Sequence, residues 1–128
     1  MNKRIKEVLI YALSYLEDRY PYENAVDLCL HGACIYLAEA IHHYVPETKI
    51  AVHKEIDHVA IYDPESDEIY DARFIPLNKD EYRIMTFEDY YKNEKGIGNP
   101  DITNTNKMIN GVAEFKKKDE EWLKKHNK

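Results

Sequence analysis

Apolar side chains return every three or four residues through the first turns of the chain. Ile5, Val8, Leu9, Ala12, Leu13 and Leu16 line one face, Lys6, Glu7 and Glu17 the other, and Pro21 closes the segment, which predicts an amphipathic helix over residues 3–20. Residues 22–33 keep no period and include Gly32, so a loop or one short helical turn is expected there. The helical step resumes at Cys34, with Leu37, Ala38, Ile41 and Val45 on its face; Cys34 therefore heads a helix that Pro46 ends. Three strand-like runs follow at 48–54, 58–63 and 68–74, separated by turn material. After Pro76 the pattern is mixed. Thr86 is placed to cap a short helix through Tyr91, and residues 92–107 read as a loop rich in Gly, Asn and Thr. Met108, Ile109, Val112, Phe115 and Trp122 then mark a closing helix over about residues 107–126, its last turns charged.

Helices ahead of a block of adjacent strands, with a helix behind, give an α+β domain: the N-terminal helix and the Cys34 helix pack on a small antiparallel sheet. A chain of 128 residues supports one core, expected over about residues 3–92 of a single domain spanning 1–128. No apolar run approaches the roughly 18 residues of a membrane span, which excludes a spanning role. The net charge of −6 repels phosphate backbones, so nucleic acid is not an expected partner. Residues 116–128 oppose that sign, with six Lys against Asp119, Glu120 and Glu121, and read as a solvated charged helix end. Two cysteines, Cys29 and Cys34, are too few and too close to staple a secreted miniature domain, which points to a reducing, cytoplasmic setting. The basic start and the apolar run after it imitate a secretion signal. Glu17, Asp18 and Arg19 arrive where a small-residue cleavage site belongs, so the stretch reads as the first helix.

Cys34 is where chemistry enters. A thiol attacks strongly only as thiolate, and the unpaired N–H groups and positive dipole end of a helix start lower its pKa. Gly32 leaves room for a substrate backbone, and the Cys34 N–H is placed to hold an oxyanion. A helical Cys is ordinarily a small buried hydrophobe, so the chemistry needs a base. A hairpin across residues 64–67 sets Asp63 opposite Glu68 and His58 opposite Arg73, with Asp71 diagonal to His58 on one sheet face at about 7–8 Å between Cα atoms. Closing the preceding strand through Glu55, Ile56 and Asp57 sets Val52 opposite Ala60 and Ile50 opposite Tyr62. Ile50, Val52, Ala60, Tyr62 and Ile69 then form one apolar face ending at His58 and Asp71. That face is the expected seat of the Cys34 helix, and His53 falls on the other. Nucleophile, base and base-orienter would converge from three elements.

The stretches GACIYLAEAI, DHVAIYD and IYDARF, in that order, resemble the papain-like cysteine peptidase superfamily in its small bacterial and phage-type forms, over roughly residues 30–75. The resemblance implies a papain-like core, with Cys34 as nucleophile, His58 as general base and Asp71 in place of the His-orienting Asn or Asp. It implies a thiol-dependent hydrolase or acyl transferase, without cofactor, acting on an amide, isopeptide or thioester bond of a peptide or protein substrate. Such proteins often place a Gln ahead of the nucleophile as second oxyanion donor. This chain has no Gln, so His31, Asn24 or another backbone N–H must substitute, and His31 and Gly32 are the expected substrate-binding residues. The rival class is an inactive papain-like scaffold serving as a protein-binding module of phage or mobile-element type. Cys29 is expected to be structural, since its C-x4-C spacing to Cys34 is not the C-x-x-C of disulfide oxidoreductases. No metal site is expected: His31, Cys34, His42 and His43 are close in sequence, but His43 lies about 180° around the helix from Cys34.

Overall fold

The computed structural model describes residues 1–94 and 102–126. Helix α1 (Lys3–Arg19) is opened by Asn2, whose side chain accepts the Arg4 N–H at 2.8 Å. It buries Ile5, Val8, Leu9, Ala12 and Leu16, the predicted stripe apart from half-buried Leu13. The aperiodic stretch holds a short helix, α2 (Ala25–Leu30), capped by Asn24 through the Asp27 N–H at 3.1 Å. Its end is a Schellman clasp: the Ala33 N–H reaches back to the Leu28 carbonyl at 3.0 Å across Gly32, which takes φ +135°. Ala33 is at once the N-cap of α3 (Cys34–Tyr44), so no free residue separates the two helices. Helix α3 buries Leu37, Ala38, Ala40 and Ile41 and stops at Val45, ahead of Pro46.

Strands β1 (Lys49–His53), β2 (Val59–Asp63), β3 (Glu68–Tyr70) and β4 (Tyr82–Met85) form an antiparallel sheet in the order β3-β2-β1-β4. The chain is therefore α+β, as its pattern predicts. The β2–β3 register is the expected one, with Asp63 opposite Glu68 and Tyr62 opposite Ile69. The β1–β2 register is not: Val52 pairs with Val59 and Ile50 with Ile61, one residue away from the predicted partners. The cause is the connection, which spends four residues, 54–57, because His53 rather than Lys54 pairs with His58, the His53 N–H meeting the His58 carbonyl at 2.9 Å. The His53 ring also accepts the Glu55 and Ile56 N–H groups at 3.1 and 3.2 Å, which fixes that loop.

A slip of one exchanges the faces. Ile50, Val59, Ile61 and Tyr70 face the helices, while Ala60 and Ile69 lie on the opposite side with Ala51, Tyr82 and Leu77. The expectation that the Cys34 helix sits on Ala60, Tyr62 and Ile69 is thus overturned. Strand β3 also stops at Tyr70 rather than reaching residue 74, because Asp71 begins a turn in which the Phe74 N–H meets the Asp71 carbonyl at 3.2 Å.

Thr86 caps α4 (Phe87–Asp89), which runs into a π-helical turn, Tyr90–Glu94. Of the predicted loop over 92–107, residues 95–101 lie outside the described residues. Helix α5 (Thr103–His126) starts four residues earlier than predicted and buries Thr105, Met108, Gly111 and Val112 against α1 and α3. Trp122, expected on its packed face, is instead 58% exposed and stacked on His126, beyond the last buried turn. The acidic body does hold part of the basic end, through Lys116 to Glu7 at 3.3 Å.

Candidate active site

The Schellman clasp and the uncapped start of α3 place the Cys34 sulfur at the mouth of the sheet. No side chain caps α3, in contrast to α1, α2 and α4, so its first N–H groups remain for the sulfur and for an incoming oxygen. Alternation along β2 turns the Val59 N–H toward β3. Strand β3 has ended at Tyr70, and the Cys34 sulfur takes that N–H. His58 directly precedes β2, its carbonyl still paired with the His53 N–H, and Asp71 directly follows β3, so both sit at strand ends. The His58 ring reaches the Cys34 sulfur and Asp71 reaches His58, although their strands' helix-facing residues have the opposite parity.

The His58 ring is buried, and its Nε2 lies 3.0 Å from Asp71 Oδ2, which leaves Nδ1 for Cys34. Asp71 is fully occupied. Its Oδ1 accepts the Arg73 backbone N–H and Nε–H, both at 3.0 Å, and its Oδ2 accepts Arg73 Nη2 at 2.5 Å as well as facing His58. The Arg73 guanidinium also meets the Tyr82 hydroxyl, and the Tyr82 ring walls His58 with centroids 6.5 Å apart.

Charges follow from these contacts. Burial pushes the Asp71 carboxyl up, but His58 and Arg73 outweigh it and hold it far below the usual carboxylate range. Asp71 first and Cys34 second raise His58 to about 9 against a burial that favours the neutral ring. Burial likewise pushes the Cys34 thiol up, yet the His58 ring and the Val59 and Ile35 N–H groups bring it below the ordinary thiol value. The result is a row of four groups, Cys34, His58, Asp71 and Arg73, in which each neighbour favours the charged form of the next. A buried carboxylate is otherwise costly, and two cations flank this one.

The three predicted residues Cys34, His58 and Asp71 are thus brought together. His31, the C-cap of α2, and Gly32 are exposed, three and two residues ahead of Cys34. Gly32 owes its identity to backbone shape, since a Cβ there would meet nothing within 4 Å. Asn24 is spent at the other end of α2 as its cap, so it does not stand in for a papain-type Gln. Cys29 is 1% exposed and pushed up to about 12 by burial, with Cys34 and Asp71 adding to the rise. His53 faces away from the helices, against Tyr82, and His42 is bonded to the Thr48 carbonyl at 3.0 Å and stacked on Phe87. Among the described residues no three His, Cys, Asp or Glu side chains are grouped as metal ligands.

Arg73, expected only as the residue opposite His58, joins the same row through Asp71. The signal was available: an Asp two residues ahead of an Arg can form an Asx turn and a side-chain clamp together. The Val59 N–H and the Tyr82 wall had no such signal. No protein family, curated protein or solved structure matches the chain.

Proposed function

We propose that the chain is a thiol-dependent hydrolase or acyl transferase with a papain-like core, acting on an amide, isopeptide or thioester bond of a peptide or protein. One observation carries this: the His58 imidazole bridges the Cys34 sulfur and the Asp71 carboxylate, with Nε2 to Oδ2 at 3.0 Å. The thiolate attacks the carbonyl carbon, and the carbonyl electron pair moves to oxygen, held by the N–H groups at the start of α3. The His58 imidazolium gives its proton to the leaving amine or thiol, leaving an acyl group on Cys34. Water, or a second amine, then attacks with neutral His58 as base, and the sulfur departs as thiolate. Asp71 keeps the ring oriented and favours the imidazolium, and Arg73 keeps Asp71 ionised.

Iodoacetamide alkylation of Cys34 against pH tests this. Wild type is expected to react at lower pH than an ordinary thiol, and His58→Ala to return the profile to the ordinary thiol range. An ordinary profile in both proteins would overturn the assignment. A second reading, a protein-binding scaffold without turnover, has one observation in its favour: Asn24 is committed to capping α2, so no carboxamide is free where a papain relative holds its second oxyanion donor. Cys34→Ala separates the two readings, since an active enzyme would retain its substrate in a pull-down and lose turnover, whereas a scaffold would keep its full effect in the host.

A further inference from the structure

The chain's only two cysteines share one small cavity. Cys29 lies in the last turn of α2 and Cys34 in the first turn of α3, and the clasp between Ala33 and Leu28, 3.0 Å long, folds one turn against the other. Both side chains line a void of about 10 Å³ together with Leu37, Val59, Tyr70 and Asp71. That is room for a single water at most. The two thiols have opposite settings: Cys34 is partly open, whereas Cys29 is 1% exposed. A small solute therefore reaches the first and not the second, and the acyl chemistry above makes no use of Cys29.

We propose that Cys29 is a resolving thiol, which makes Cys34 a reversible oxidation site for hydroperoxides through a Cys29–Cys34 disulfide. The proposal rests on Cys34 being the activated thiol of the proposed function. In the first step the Cys34 thiolate attacks one oxygen of hydrogen peroxide and the O–O bond breaks. The departing hydroxide takes the His58 proton to become water, and the sulfur, oxidised by two electrons, is left as sulfenic acid. In the second step the Cys29 sulfur attacks the Cys34 sulfur and the S–O bond breaks. The hydroxyl leaves with the Cys29 proton as a second water, and the S–S bond forms.

Placement decides the order of events. Burial keeps Cys29 protonated and shielded, so it stays silent until a sulfenic acid forms beside it in the same cavity. The closed bond blocks the nucleophile and protects it from further oxidation. In a reducing compartment such a bond is transient, which suits a regulatory rather than a structural disulfide.

The test treats the full-length wild type, Cys29→Ala and Cys34→Ser with hydrogen peroxide and follows intact mass and peptide maps, before and after dithiothreitol. Wild type is expected to lose two hydrogens, yield a peptide linking residues 29 and 34, and recover all of its Cys34 alkylation on reduction. Cys29→Ala is expected to gain two or three oxygens at Cys34 and recover none. Wild type that proceeds to sulfinic acid as readily as Cys29→Ala, with no linked peptide, would overturn the resolving role while leaving the activated thiol intact. Cys34 that resists both peroxide and neutral-pH alkylation would instead remove the activated thiol and this proposal with it. The linked peptide is read in the wild type, so the result does not depend on how well the Cys29 variant folds.

Discussion

Asp71→Asn isolates the charge at the centre of the row, because it changes almost no volume. His58 is raised from its ordinary 6.5 to about 9, and at about 1.4 kcal/mol per pKa unit that displacement is worth about 3 kcal/mol in favour of the imidazolium. Asp71 is the largest contributor and Cys34 the second. With a neutral carboxamide in place, the His58 midpoint is expected to fall by about one to two pH units, and the Cys34 thiol to rise as its counter-charge weakens. Stability should follow with a defined sign. A raised histidine stabilises the fold fully below pH 6.5 and loses that contribution as pH rises through about 9. A depressed carboxyl stabilises it above 3.8 and loses that contribution as pH falls below. The advantage of wild type over Asp71→Asn is therefore largest between about pH 4 and 6.5 and narrows on either side. The assays are the pH titration of the His58 ring protons by NMR, urea unfolding at pH values inside and outside that window, and iodoacetamide alkylation against pH. A His58 midpoint still near 9 in the variant, with an unshifted alkylation profile, would refute the claim that Asp71 sets the charge of the ring.

Two further substitutions test the frame that holds the site. Gly32→Ala puts a side chain at φ +135° in open space, so its whole cost is backbone strain, roughly 1–3 kcal/mol by urea unfolding; wild-type stability would refute the role given to the clasp. Gly111→Ala drives a methyl group into Tyr15 from its Cβ to its ring, where α1 and α5 touch. The helix-propensity gain of about 1 kcal/mol should be outweighed by overpacking of about 1–3 kcal/mol, giving a net loss in a thermal melt, and a net gain would show that the helices separate freely.

The helix stripes were legible in the sequence because each rests on short-range information. The stripe of α1, the face shared by Leu37, Ala38 and Ile41, and the turn at residues 64–67 are set by local periodicity and turn chemistry. The sheet faces were misassigned because the length of the β1–β2 connection depends on His53 bonding the loop backbone, a tertiary detail worth one residue of register. His58 still reached Cys34, and Asp71 reached His58, from strand ends. Strand β4 was invisible: its four residues expose Arg83 and Ile84 and show no alternation, and it is recruited by pairing with β1. Arg73 entered only as the residue opposite His58, because sequence spacing alone does not say that one carboxylate serves two cations at once.

Ala33 finishes one helix and begins the next, so the joint between α2 and α3 has no slack. Surface connections usually absorb insertions and deletions, but this one has nowhere to put an added residue and no residue to give up. Length between His31 and Cys34 is thereby fixed by the sulfur's position, and any displacement of the short helix α2 is passed directly to the Cys34 sulfur.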